Sequence, residues 1–386
     1  MHPSTDQNPK IPPEPGDSPE RHTNGHTPDW GDYPTLDAYA EDLPFQDISE
    51  FLADFTPPNW LVDDLLQTGF LYTLTGATGH GKTAISTTLQ LAIATGRPFG
   101  HLKTRQRRVL VLCGENPTDY QMRLFATAQE MEIGQSELRN KITVLPRAFA
   151  LPEYIATLLA RIAALEAING PYGAIFIDTS AAYYGGDNDN DNAQMHAHAQ
   201  TARMLTASGA TVVMLCHPIK AANPENLLPR GGGALLNAVD GNLTVWRTGT
   251  ESSTLHWAGK IRGPDFQPVM FELRPTPLAD HHDAEGRQIG SIFAKPISDR
   301  EASQMQRDHR TDEDQLLEAM LRHPKVSMGD YADSCGWHTG PKNLPYKTKV
   351  ARILVGLAAE GLAKKYRGDW ILTDKGKSEA ERLADK

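Results

Sequence analysis

The sequence has 386 residues, 39% hydrophobic and 22% charged, enough for one large α/β domain and a smaller module. No apolar run approaches the roughly 20 residues of a membrane span, and the first residues lack the basic beginning and apolar core of a secretory signal. The three cysteines, Cys113, Cys216 and Cys335, form no CxxC pair, so a disulfide framework or cysteine metal site is excluded and a reduced, cytoplasmic protein is expected.

The net charge of −10 is unevenly spread. Residues 1–45 are rich in Pro, Asp, Glu, Asn and His, and the first fifty residues set eleven acids against Lys10 and Arg21. Such a stretch buries too little apolar surface to offset its ordering entropy, which predicts a disordered tail. Pro57-Pro58-Asn59-Trp60-Leu61-Val62 marks the entrance to a folded domain. Short apolar runs at Phe70–Thr75, Val109–Leu112, Ile142–Leu145, Ala174–Ile177 and Thr211–Leu215 then alternate with helical patterns at Thr83–Thr95, Tyr120–Glu132, Tyr154–Ile168 and Ala193–Ser208. This alternation predicts a mainly parallel sheet covered on both faces. Leu243–Trp246, Thr254–Trp257 and Val269–Leu273, separated by turn residues, read as antiparallel strands extending that sheet, and 276–311 as a polar, irregular linker. From Thr311 the pattern is an amphipathic helix at Asp312–Arg322, a short helix at Met328–Cys335, a third at Tyr346–Glu360, and a hairpin of Ala363–Tyr366 and Trp370–Thr373. Lys342–Lys377 holds nine Lys and Arg against three acids, the opposite charge to the tail.

Chemistry concentrates at a few places. Gly76-Ala77-Thr78-Gly79-His80-Gly81-Lys82-Thr83 matches GxxxxGK[ST] between a strand and a helix that continues at Ala84. The glycines let backbone N–H groups turn toward a phosphate, Lys82 adds positive charge, and the Thr83 hydroxyl suits Mg²⁺. Asp178 ends the apolar run Ala174–Ile177 and is the second candidate for holding Mg²⁺. Glu115 ends another apolar run and is the candidate general base that activates water. His217 follows Thr211–Leu215, where a polar side chain can sense the terminal phosphate. Arg230 precedes Gly231-Gly232-Gly233 and suits delivery into a neighbouring subunit's site, with Arg262 and Lys260 as rivals for that role.

These residues, in this order, resemble the RepA-like hexameric replicative helicases of the RecA superfamily over roughly residues 57–273. The resemblance also rests on Gly96-Arg97-Pro98-Phe99, Gly114-Glu115-Asn116-Pro117, Asp178-Thr179, Gly185-Gly186-Asp187, Asn190-Asp191-Asn192-Ala193, Cys216-His217-Pro218-Ile219-Lys220 and Arg230 to Leu235 with Asp240 beyond. It implies a ring of six subunits with ATP between neighbours, Glu115 as base, His217 as sensor and Arg230 acting in trans. The family often has a second His where Pro218 stands and Ser where Gly232 and Gly233 stand. Its channel loops would be Tyr183–Asn192, which is acidic, and Ile219–Leu228, which offers Lys220. The C-terminal pattern resembles winged-helix DNA-binding domains: Lys349 and Arg352 share one helix face, while Lys364, Lys365 and Arg367 sit on the hairpin.

The expectation is therefore an α/β RecA-like P-loop NTPase core, a mainly parallel sheet with an antiparallel extension, over 46–275. It is preceded by the 1–45 tail and followed by a 276–311 linker and a winged helix-turn-helix over 312–386. The expected function is an ATP- and Mg²⁺-dependent ring motor on DNA, single-stranded in the channel and duplex at the winged helix, with no membrane partner. The rivals are a non-unwinding RecA-fold ATPase that mediates recombination or regulates a partner, and a regulator in which the winged helix acts and ATP sets oligomerisation.

Overall fold

A computed structural model describes residues 45–53, 55, 57–189, 191–249, 251–340 and 342–384. The tail expected over 1–45 lies, but for Phe45, outside the described residues. The chain divides into two units between Pro57 and Pro58. In the first unit, α1 (Ile48–Ala53) is short, with Ile48, Phe51 and Leu52 all exposed.

The second unit opens with a small hairpin of β1 (Trp60–Val62) and β2 (Leu66–Gln67). The main sheet then begins with β3 (Leu71–Gly76), followed by α2 (Lys82–Thr95), β4 (Arg108–Cys113), α3 (Pro117–Glu130) and the single-turn α4 (Gln135–Leu138). Next come β5 (Ile142–Leu145), α5 (Leu151–Asn169), β6 (Tyr172–Asp178), α6 (Asn192–Met204), β7 (Thr211–Cys216) and α7 (Gly232–Ala238). The strands β8 (Gly241–Arg247), β9 (Ser252–Ile261), β10 (Val269–His282) and β11 (Gln288–Ile297) complete a nine-stranded sheet in the order β11-β10-β9-β8-β3-β7-β6-β4-β5. The run β8-β3-β7-β6-β4-β5 is parallel throughout.

Alternation along the central strands explains how both faces are filled. Leu74, Val111, Phe176 and Val213 pack with Ile85 and Leu89 of α2 on one face. Leu110, Leu112, Ile175 and Met214 pack with Ile162 of α5 and Met195 of α6 on the other. The α/β class with a mainly parallel sheet and an antiparallel extension is the observed architecture.

Two expectations are corrected. Leu243–Trp246 is not antiparallel to the core: β8 lies parallel to β3, and antiparallel pairing starts with β9. The 276–311 stretch is not an irregular linker. It holds the rest of β10, all of β11 and the first half of α8 (Asp299–Arg322). Pro275 and Pro277 hid the strand, because a proline without an N–H argues against a paired interior position. Here β10 pairs with β9 only over Val269–Glu272, so both prolines lie beyond that ladder, against β11. The helix start was written locally: Ser298 and Glu301 form a capping box, each side chain bonding the other's backbone N–H.

The C-terminal part follows as α9 (Met328–Ser334), β12 (His338–Thr339), β13 (Leu344–Pro345), α10 (Lys347–Ala359), β14 (Ala363–Tyr366), β15 (Asp369–Leu372) and α11 (Asp374–Ala384). Leu316, Leu317 and Met320 of α8, Tyr331 of α9, Val350, Ile353, Leu354 and Leu357 of α10 and Leu372 of β15 form its own core. The order of three helices and a hairpin is as expected, and α11 adds Ala380 to the core. Among the described residues no helix is long and apolar enough to cross a membrane.

Candidate nucleotide site

The strand order places four sequence-predicted segments at adjacent carboxyl ends. β3 leads into the Gly76 loop, β7 into His217, β6 ends at Asp178, and β4 leads to Glu115. Ligands of open α/β sheets bind at such strand ends.

The loop is built for an anion. Gly79 and Gly81 have φ of 82° and 88°, in the left-handed region where a side chain is strained. A Cβ added at Gly81 would also come within 2.7 Å of the Leu273 side chain. α2 starts at Lys82 with no side-chain cap, leaving its first N–H groups for a ligand. Lys82 is buried, and its ammonium donates to the Gly76 carbonyl at 3.3 Å and the Cys216 carbonyl at 3.1 Å. Burial lowers the Lys82 pKa, opposed by Cys216, Asp178 and Glu115. His80 turns away from the pocket: its ring packs edge-on to Trp246 at 4.8 Å and its Nδ1 accepts from the Arg247 N–H at 3.3 Å.

Asp178 is buried at the end of β6. Burial pushes its pKa up to about 6, with Lys82 opposing and Glu115 reinforcing the rise. The Asp178 carbonyl accepts from the Gly114 N–H at 2.8 Å and the Glu115 N–H at 3.4 Å, which fixes Glu115 beside it. Gly114 is required by this closeness, since a Cβ there would meet the Tyr183 ring at 2.8 Å. The His217 pKa is lowered by burial and then by Lys82, opposed by Glu115.

Ala77, Thr78, Gly79, Gly81, Lys82, Thr83, Ala84, Glu115, Asp178 and His217 line one cavity of about 510 Å³. That lies within the roughly 300–1,000 Å³ of pockets that enclose small ligands. The donor set fits a nucleoside triphosphate: loop N–H groups and Lys82 for phosphates, and Thr83 and Asp178 as oxygen ligands for an accompanying Mg²⁺. Among the described residues no group of three or more His, Cys, Asp and Glu is placed to hold a metal, so such a cation would rest largely on phosphate and water.

Sequence reading missed part of this wall. Asn116 caps α3 by accepting from the Asp119 N–H at 3.0 Å, and Asp119 pairs with Arg123 at 2.6 Å; all three line the cavity. Leu273, Pro275 and Ile292 add an apolar side from β10 and β11, and Arg247, Glu251 and Arg352 complete it. Asn116-Pro117 is a legible helix start; the others have no local signal.

Three basic residues stand outside the cavity. Arg230 is exposed and pairs with Asp189 at 3.0 Å, while its N–H donates to the His217 carbonyl at 2.8 Å. Arg262 pairs with the buried Asp240 at 3.0 Å, which also accepts from Arg203 and from the Leu71 N–H, both at 2.9 Å. Lys260 donates to the Asn237 carbonyl at 2.6 Å.

Of the residues expected to meet DNA, Lys220, Lys364, Lys365 and Arg367 are exposed. Lys349 and Arg352 are not displayed as a free basic face, which corrects that expectation. Lys349 pairs with Asp312 at 2.8 Å and lies 4.4 Å over the Trp337 ring, and Arg352 pairs with Glu251. Helical spacing placed these two cations on one face but could not reveal what covers it.

A comparison with curated proteins finds no match to the chain. Residues 38–223 match the model of a family described as AAA domain, a span that includes the phosphate loop, Glu115, Asp178 and His217 and ends before Arg230. The anion-binding loop on a buried parallel sheet, with a lysine, two carboxylates and a histidine at one cavity, thus lies in a stretch that is similar to an AAA-type ATPase domain.

Proposed function

We propose that the chain is an ATP-hydrolysing, ring-forming RecA-type motor on DNA, of the RepA-like replicative helicase kind, with a winged helix at its C-terminal end. The observation that supports this reading is the division of the site. Lys82, Thr83, Glu115, Asp178 and His217 line one cavity, whereas Arg230 lies outside it, exposed, and tied through its backbone to His217. A site so divided suits ATP held between neighbours, with Arg230 serving the adjoining subunit.

In this mechanism the loop N–H groups and Lys82 hold the phosphates, and Thr83 and Asp178 hold Mg²⁺. The cation neutralises phosphate charge when bound. Glu115 takes a proton from the attacking water, which adds to the terminal phosphorus as the bond to ADP breaks. Arg230 of the next subunit stabilises the developing charge, and His217 reports phosphate loss to the segment leading to Arg230.

ATP turnover and strand displacement on forked DNA test the proposal. Unwinding that depends on Lys82 is the expected result; DNA-stimulated turnover without unwinding refutes the helicase reading. A second reading, a non-unwinding RecA-fold ATPase that controls a DNA or protein partner, is favoured by the acidic expected channel loop with Asp187, Asp189 and Asp191. Carboxylates repel a phosphate backbone, and that experiment separates the two.

A further inference from the structure

The cavity that holds Lys82 also receives a side chain from the far end of the chain. Arg352, on α10, lines it and pairs with Glu251 in the turn between β8 and β9. That turn is braced against the phosphate loop. The Glu251 carbonyl accepts from the Leu273 N–H at 2.6 Å, and the Leu273 side chain packs against Gly81. Arg247, at the end of β8, reaches the same loop and donates to the Gly79 carbonyl at 3.4 Å. Burial lowers the Arg352 pKa, and the neighbouring Arg247 lowers it further, so the two guanidinium groups feel each other. α10 is itself held, since Lys349, one turn before Arg352, is fixed by Asp312 and Trp337.

We propose that Arg352 is a nucleotide-binding residue supplied in cis by the C-terminal module, with Glu251 occupying it until the phosphate groups of a nucleotide take its place. The inference rests on the nucleotide-binding reading of the cavity. Phosphate oxygens are strong acceptors for the planar fork of a guanidinium and carry more charge than one carboxylate, so they outcompete Glu251. The C-terminal module then holds the nucleotide directly, and occupancy of the site and docking of α10 reinforce each other by linkage. Arg352 so engaged is withdrawn from the helix face that its spacing suggested for DNA.

Binding of fluorescent N-methylanthraniloyl-ADP with Mg²⁺ to the full chain tests this. Arg352→Gln weakens binding by about tenfold or more, the loss of one charge-assisted contact, and Arg352→Lys falls between it and the unaltered chain. Glu251→Gln binds more tightly, because the competing carboxylate is gone. Were the pair only a clamp between modules, both Gln variants would open it and shift affinity in the same direction. Opposite directions support the proposal; equal affinity of Arg352→Gln and the unaltered chain, or shifts in one direction for both variants, overturn it. Loss of binding in Lys82→Ala with Arg352→Gln unaffected removes this inference and leaves the nucleotide site standing. An unaltered chain that binds no nucleotide removes both.

Discussion

Protonation of His198 should weaken this fold in acid. The ring is 1% exposed on α6, its Nε2 lies 3.0 Å from the Ser180 hydroxyl, and its Nδ1 has no hydrogen-bond partner among the described residues. Burial holds its pKa down to about 4, against 6.5 in an open chain. The folded state therefore favours the neutral ring, and the contribution to stability is complete above pH 6.5, where neither state binds the proton. As pH falls below 6.5 the unfolded chain takes up the proton first, so this contribution drops until the folded ring also protonates near pH 4. The gap between the two values corresponds to about 3 kcal/mol, of which about 2 kcal/mol is lost by pH 5. Urea unfolding at several pH values between 4.5 and 7.5 measures this, with His198→Gln as reference because the amide keeps hydrogen-bonding capacity and does not titrate. The variant should lose markedly less stability over this window than the unaltered chain. Equal slopes for the two proteins would refute the argument.

Other expectations follow from the site and its support. Lys82→Ala removes the buried ammonium at the loop, and steady-state ATP turnover should fall by about a hundredfold or more. Arg230→Ala should leave nucleotide affinity near that of the unaltered chain while lowering turnover by about a thousandfold; normal turnover would end the trans assignment. In α11, a Cβ on Gly376 would sit 1.9 Å from the Leu362 carbonyl, which backbone cannot yield cheaply. Gly376→Ala should therefore destabilise the C-terminal helices by about 1–3 kcal/mol, read as a lower thermal midpoint.

The core strands were legible because their pattern is local and redundant. Buried parallel strands read as continuous apolar runs between helical patterns, so β3, β4, β6 and β7 lie within two residues of their expected bounds. β10 past Glu272 was not legible, since whether a proline is tolerated depends on which neighbour pairs at that residue. β8 was seen as a strand, but its direction relative to β3 is a property of the connection through α7 and not of its own side chains.

The site divides in the same way. The order of loop, acid, acid and histidine is local, and each follows an apolar strand, so Lys82, Thr83, Glu115, Asp178 and His217 could be picked out before any fold was known. Their convergence on one cavity is decided by the strand order β3-β7-β6-β4, which sets sequence-distant carboxyl ends side by side. The chain by itself determined the elements and the phosphate loop, because strand and helix periodicity and glycine freedom act over a few residues. Only the tertiary structure decided that Arg262 is tied to Asp240 and that Arg352 faces Glu251 at the nucleotide cavity. Those pairings join residues 22 and 101 positions apart, and the partner of a long, mobile cation is chosen by packing, which sequence spacing does not encode.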